Sequence, residues 1–222
     1  MLTIGFSTKK LDLKFKQHLI DSCGVYGVEV IHIENNGEYS LTEAYNILLN
    51  QSTNDIVVLC HDDIYFDTIN WGRRLLKHYD KTNYGIIGVA GSTEISENGV
   101  WWKDKSKMHG IVNHEQNGKK WMSKYSEDLK NKITETCIVD GVFISLHKNR
   151  IREKFDENIK GFHYYDIDFS FSNCLLGVKV GVMYNVRITH KSIGITNDEW
   201  DFNRKIFTGK RSGLLPYKIN TP

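Results

Sequence analysis

Asp55-Ile-Val-Val-Leu-Cys-His-Asp-Asp-Ile-Tyr-Phe-Asp67 is the stretch from which the fold can be read. Ile56 to Cys60 is an unbroken apolar run rich in β-branched residues, the pattern of a strand buried on both faces of a parallel sheet. The run ends in His61, Asp62 and Asp63. Open α/β sheets place their ligand crevice at the carboxyl ends of strands, so these three polar groups are expected there. Two carboxylates and an imidazole are costly to keep dry and unpaired, and a cation or polar ligand is the natural compensation.

Working outward, strands and helices alternate. Leu2 to Ser7 reads as a first strand, Lys10 to Asp21 as a helix closed by Gly24, and Val28 to Ile33 as a second strand before the polar loop Glu34 to Gly37. Ser40 and Glu43 have capping-box spacing, and Leu41, Ala44, Tyr45, Leu48 and Leu49 follow at helical spacing, predicting a helix from Leu41 to Gln51. Asp67 or Thr68 is placed to cap a helix running through Tyr79, and Gly85 to Gly91 reads as a further buried strand. Cys137 to Leu146 is a strand interrupted by Asp140 and Gly141, a sign of a bulge or of close approach by a ligand. Tyr164 to Gly177 reads as a helix with Asp166 and Asp168 in its first turn, where acid is favourable in itself, and Val178 to Ile188 as strand ending at Thr189 and His190. The expected architecture is α/β, a mostly parallel Rossmann-like sheet flanked by helices in one domain, 1–222. Residues 92–134 break the pattern and read as a variable insertion or acceptor loop, and 191–222 as a tail that can fold back over the domain.

Composition narrows the class. The 222 residues suffice for one sizeable core, and 29 basic against 27 acidic residues give a net charge of +2, too weak a field to argue for nucleic acid. Cys23, Cys60, Cys137 and Cys174 are far apart without a Cys-x-x-Cys pair, so buried free thiols are expected rather than a zinc site. The chain turns polar at Ser7 to Lys10 and has no run approaching the ~20 apolar residues of a membrane span. A cytoplasmic protein with at most peripheral membrane association is expected.

Taken in order, Ala44-Tyr45-Asn46, Asp55 to Asp63, Val139-Asp140-Gly141-Val142-Phe143, Tyr164 to Phe169 and His190 resemble the family 2 inverting nucleotide-sugar glycosyltransferases with the GT-A fold. The resemblance implies that Asp63 holds Mn²⁺ or Mg²⁺ against a nucleoside diphosphate, with His190 completing the site. His61 stands where the family has the first acid of an Asp-x-Asp, and Asp62 assists. Asp166 matches the second acid of a Glu-Asp pair and inherits the role of catalytic base, with Tyr165 in place of the Glu and Asp168 as the second choice. Ser7, Thr8, Glu34, Tyr45 and Asn46 match positions around the nucleobase and ribose, and Asp140 and Gly141 a segment lining the sugar pocket. The implied partners are a nucleotide-sugar donor, with uridine favoured, and a glycan or glycolipid acceptor hydroxyl.

Plainer readings compete with each of these. Asp62 and Asp63 can form an ordinary turn, Asp166 and Asp168 can be helix-start acids, and His190 is evenly balanced between ligand and strand-end histidine. Trp101, Trp102 and Trp121 suggest stacking on a sugar, with loop anchoring slightly favoured. Lys103 to Lys107 and Lys119 to Lys132 read as a solvated face. Two rival functions stand: a degenerate glycosyltransferase-like binding module, and a metal-dependent phosphohydrolase using His61-Asp62 with His109, His114 or His190, which requires a mostly helical fold.

Overall fold

A computed structural model describes residues 1–126, 132–192 and 194–219. In chain order it contains β1 (Leu2–Thr8), α1 (Leu13–Cys23), β2 (Glu29–Glu34), α2 (Leu41–Gln51), β3 (Ile56–Cys60), β4 (Ile64–Phe66), α3 (Trp71–Lys81), β5 (Tyr84–Gly88), β6 (Ala90–Ser92) and β7 (Glu94–Ile95). There follow β8 (Met108–Gln116), β9 (Lys119–Lys124), β10 (Ile133–Thr136), β11 (Ile138–Val139), β12 (Phe143–His147), α4 (Tyr165–Leu175), β13 (Lys179–Met183), β14 (Ile188–His190), α5 (Asp198–Lys210) and β15 (Tyr217–Lys218).

The central sheet has the order β10-β13-β5-β12-β3-β1-β2. β1 pairs parallel with β2 and β3, and β13 parallel with β5, but β12 runs antiparallel between β3 and β5, and β10 antiparallel to β13. The sheet is therefore mixed rather than mostly parallel. Strand β3 explains its own sequence: Val58 and Cys60 enter the core on the α1 and α3 side with Leu2, Ile4, Trp71 and Leu75, while Val57 and Leu59 enter the core on the α2 and α4 side with Tyr45, Leu48 and Phe169. Apolar residues are required at every position because both faces are covered.

Helix α2 has the predicted limits, and its capping box is complete, with Ser40 and Glu43 satisfying each other's backbone N–H groups. Helix α1 ends at Gly24 in the left-handed conformation, φ 71°. The cap of α3 differs from expectation. Asn70, at φ 60°, occupies that position without a side-chain cap, because Asp67 accepts from Thr189 and Asn113 and Thr68 accepts from the Arg187 backbone N–H. Those two side chains tie the end of β4 to β14 instead.

Gly85 to Gly91 is two strands, β5 and β6, and Cys137 to Leu146 is likewise divided into β11 and β12. In both cases the chain leaves the central sheet or enters it at the break, since β6 and β11 belong to a second sheet of order β11-β6-β8-β14-β4 with β9 on the edge of β8. Much of the irregular segment 92–134 is thus the long hairpin β8–β9, which turns at Asn117 and Gly118, both with positive φ. The tail folds back: Phe207 of α5 is buried with Phe171, Tyr164 and Ile95, and β15 pairs with β7. All four cysteines are free, three of them buried. Among the described residues no helix is long and apolar enough to cross a membrane.

Candidate functional site

The end of β3 is held by a His61 backbone N–H to Val142 carbonyl bond, which brings the Asp140–Val142 crossover against His61. Three residues later the chain enters β4, whose antiparallel partner β14 sets His190 opposite Ile64, and the Lys191 backbone N–H donates to the Asp63 carbonyl. Strand pairing alone therefore delivers His190 to Asp63. The side chains meet: Asp63 Oδ1 lies 3.3 Å from His190 Nε2 and 3.9 Å from His61 Nδ1, and those two nitrogens are 3.4 Å apart. Ligand atoms of the three residues all fall within 4.8 Å of one another.

The electrostatics are those of a cation site. Burial alone would push the Asp63 carboxyl up, but contacts from His190 and Ser192 outweigh it and hold the group well below the usual range, so Asp63 is ionised. Removal from water, reinforced by His190, lowers the His61 pKa despite the nearby acids, leaving a neutral imidazole with a lone pair to give. Apart from its 3.3 Å approach to His190, the buried Asp63 Oδ1 has no hydrogen-bond partner. A carboxylate oxygen so placed beside two imidazole nitrogens fits a divalent ion taking mixed O and N ligands. His61 is oriented from its far side, where Nε2 lies 2.8 Å from the Tyr165 hydroxyl.

Of these groups His61, His190 and Tyr165 line a cavity of about 480 Å³, within the size range of small-molecule sites, together with Asp140, Gly141 and Asp166. Asp166 Oδ2 accepts from the Gly141 backbone N–H at 2.7 Å, and Asp140 Oδ1 accepts from Val142 N–H at 2.9 Å. A helix N-terminus ordinarily favours the carboxylate. Here burial and then the neighbouring Asp140 prevail and raise Asp166 to about 7. Gly141 is fixed by space: a Cβ there would lie 1.9 Å from the Tyr165 hydroxyl oxygen.

Other expected site residues are placed elsewhere. Asp168 does not reach the cavity; it is buried and paired with Lys210 and Arg211 of the C-terminal segment at 3.1 Å each. Tyr45 is fully buried edge-on against Tyr165, ring centroids 5.6 Å apart, and Asn46 spends its amide on the Phe155 backbone and Glu157. These two brace the site from behind, and neither presents a polar group to the cavity. Ser7, Thr8 and Glu34 lie at the carboxyl ends of β1 and β2, outside this cavity, with Glu34 accepting from the Leu11 N–H and Thr8 donating to the Lys10 carbonyl. Asp62 is exposed on the loop after β3. His109 is engaged by Tyr184 and Ser126.

The cavity contains groups that sequence reasoning did not assign to the site. Tyr165 contacts His61, Trp200 joins Trp101, Trp102 and Trp121 in the wall, and Ser192, outside the lining, contacts His190. His114 is aligned with His190 across β8 and β14, a register that could be seen only after pairing strands 76 residues apart, since 190 − 114 = 76.

The family model for "Glycosyltransferase like family" matches residues 14–211. The chain belongs to this family. No curated protein sequence matches it. Among solved structures, GalNAc-T7 with UDP, GalNAc and Mn²⁺ is similar over 90% of the chain and 45% of its own length, with TM-score 0.54 and 9% identity. The mannosyltransferase PcManGT from Pyrobaculum calidifontis in complex with GDP-Man and Mn²⁺ is similar over 96% of the chain and 64% of its own, with TM-score 0.54 and 11% identity. The chain thus spans about half to two thirds of the length of these structures. At such identity the likeness establishes the fold: this glycosyltransferase-like protein is a GT-A-like α/β domain, and the helical fold needed by a phosphohydrolase reading is absent.

Proposed function

We propose that this glycosyltransferase-like protein is a metal-dependent inverting hexosyltransferase that moves a sugar from a nucleoside-diphosphate donor, with uridine favoured, to a hydroxyl of a glycan or glycolipid. The observation that carries the reading is the cluster of His61, Asp63 and His190, whose two histidines line one cavity with a carboxylate raised to about 7, Asp166.

Asp63, His61 and His190 would hold Mn²⁺ or Mg²⁺. Such an ion offsets the negative charge that develops on a departing diphosphate. Tyr165 orients His61, and the exposed Asp62 with Ser7, Thr8 and Glu34 supplies the rim on which the nucleoside would rest. Inversion requires one in-line displacement, with a base on the acceptor side taking the hydroxyl proton. Asp166 Oδ1 is the atom for this, because Oδ2 is engaged by the Gly141 N–H and fixes the carboxylate. Asp140 and Gly141 line the same space and hold the second wall of the sugar pocket. Asp168, tied into its ion pairs, is released from the role of base. A cytoplasmic location, at most peripheral at a membrane, completes the reading.

A thermal-shift panel of nucleoside diphosphates with and without Mn²⁺ tests it. A ligand at a hundred times its dissociation constant adds ~2.7 kcal/mol, worth roughly 2–4 °C per kcal/mol in a domain of this size. A metal-requiring shift for one diphosphate identifies the donor base. Absence of any shift from folded protein rejects the transferase reading.

A further inference from the structure

We infer that the cavity beyond Asp166 is a saccharide subsite for the acceptor, with Trp121 and Trp102 as stacking faces and His114 as the group that reads a ring hydroxyl. This rests on the transferase reading and narrows its acceptor to a pyranose ring. Trp121 comes from β9 and Trp102 from the loop after β7, so two separate elements present indoles to one cavity. Each indole is 38% exposed, whereas the adjacent Trp101, at 6%, is the one spent on anchoring its loop in the core. Trp102 is braced by Trp101 at 5.6 Å and by Trp200 at 5.7 Å, and Trp121 lies flat on His114, 5.1 Å between centroids and 9° between planes. Both platforms are held rigid at little further entropy cost.

His114 supplies the polar half. Both of its ring nitrogens are buried without a hydrogen-bond partner, and an imidazole can donate from one nitrogen and accept at the other. An unpartnered imidazole on a cavity wall costs free energy until a ligand satisfies it.

The occupant follows from the mixture of groups. A hydrocarbon chain would satisfy the indoles but desolvate Asp140, Asp166 and His114 without giving any of them a partner. A peptide hydroxyl would reach Asp166 but leave two indole faces uncovered. A sugar ring has an apolar C–H face and a hydroxyl edge on one rigid frame, and meets both requirements.

The test is saturation-transfer NMR of the full chain against methyl hexopyranosides and N-acetylhexosaminides, with octanol and a Ser/Thr peptide as comparators, alongside a separate Mn²⁺–nucleoside diphosphate titration. Transfer to a saccharide is expected, weakened about tenfold or more in Trp121→Ala and in His114→Ala, with partial recovery in Trp121→Phe. Tyr26→Ala, an exposed aromatic on a distant turn, is expected to change nothing, and circular dichroism establishes that each variant is folded. Saccharide signals indifferent to Trp121 and His114, or signals only from octanol or the peptide, overturn the inference. Loss of nucleotide binding with saccharide binding intact rejects the donor reading instead, so the two failures are distinct.

Discussion

The hydroxyl of Tyr165 lies 2.8 Å from Nε2 of His61. Both residues stand where the family pattern that the sequence resembles has an acid, and in the structure these two departures meet. With Nε2 turned to the phenol, Nδ1 faces Asp63 and His190. Outer partners of this kind fix the tautomer of a ligating imidazole and typically contribute 10–100-fold in metal affinity. Tyr165→Phe is accordingly expected to weaken Mn²⁺ binding by about tenfold or more while leaving the fold intact, as read by calorimetric titration. Unchanged affinity would detach Tyr165 from the site.

Gly141 is the space into which that hydroxyl fits. Gly141→Ala drives a methyl against Tyr165 and must displace either the ring or the crossover. Overpacking of this kind costs about 1–3 kcal/mol, so the melting temperature is expected to fall and Mn²⁺ affinity with it. A variant with wild-type affinity and melting temperature would contradict the packing described.

Asp166 gives the pH dependence its sign. Its pKa is about 7 in the fold and that of an ordinary aspartate when unfolded. Between roughly pH 4 and 7 the folded state keeps a proton that the unfolded chain has lost, so stability falls as pH rises through this window and levels above it. Asp166→Asn removes the penalty and is expected to stabilise the protein at pH 8 by ~1–2 kcal/mol, after allowance for the partial exposure of the group. The same substitution is expected to abolish transfer, and wild-type transfer to rise with pH up to about 7 and then level. Near-normal turnover in Asp166→Asn would remove it as base.

Asp168 predicts the opposite pairing of effects. It is buried between Lys210 and Arg211, and Asp168→Ala removes the carboxylate partner of Arg211 and leaves Lys210 its pair with Asp156 alone. Breaking a buried ion pair costs about 3–5 kcal/mol, and the greater exposure of Lys210 puts the expected loss near 2–3 kcal/mol, measured by urea unfolding. Nucleotide binding below the melting transition is expected to survive. Loss of binding without loss of stability would return Asp168 to the site.

What could be read from the sequence was local or periodic. β3, α2 with its capping box, and Asp166 in the first turn of α4 depend on neighbours within a few residues, and each stands where those residues place it. The antiparallel insertion of β12 into the central sheet, the division at Val89 and the register that aligns His114 with His190 depend on strands far apart in the chain. Asp166 and Asp168 look alike in sequence because they share one helical turn, while the partners that separate them, Lys210 and Arg211, lie in the C-terminal segment. The placement of Tyr45 and Asn46 was hidden for the same reason, their partner being the Phe155 segment.

The central claim is that Asp63 holds a cation against a nucleoside diphosphate. Its most direct measurement is a calorimetric titration of nucleoside diphosphate into wild-type protein and Asp63→Ala, each with and without Mn²⁺. Binding to wild type is expected only when Mn²⁺ is present, and none to Asp63→Ala under either condition. Equal affinity in the variant, or metal-independent binding to wild type, would contradict it.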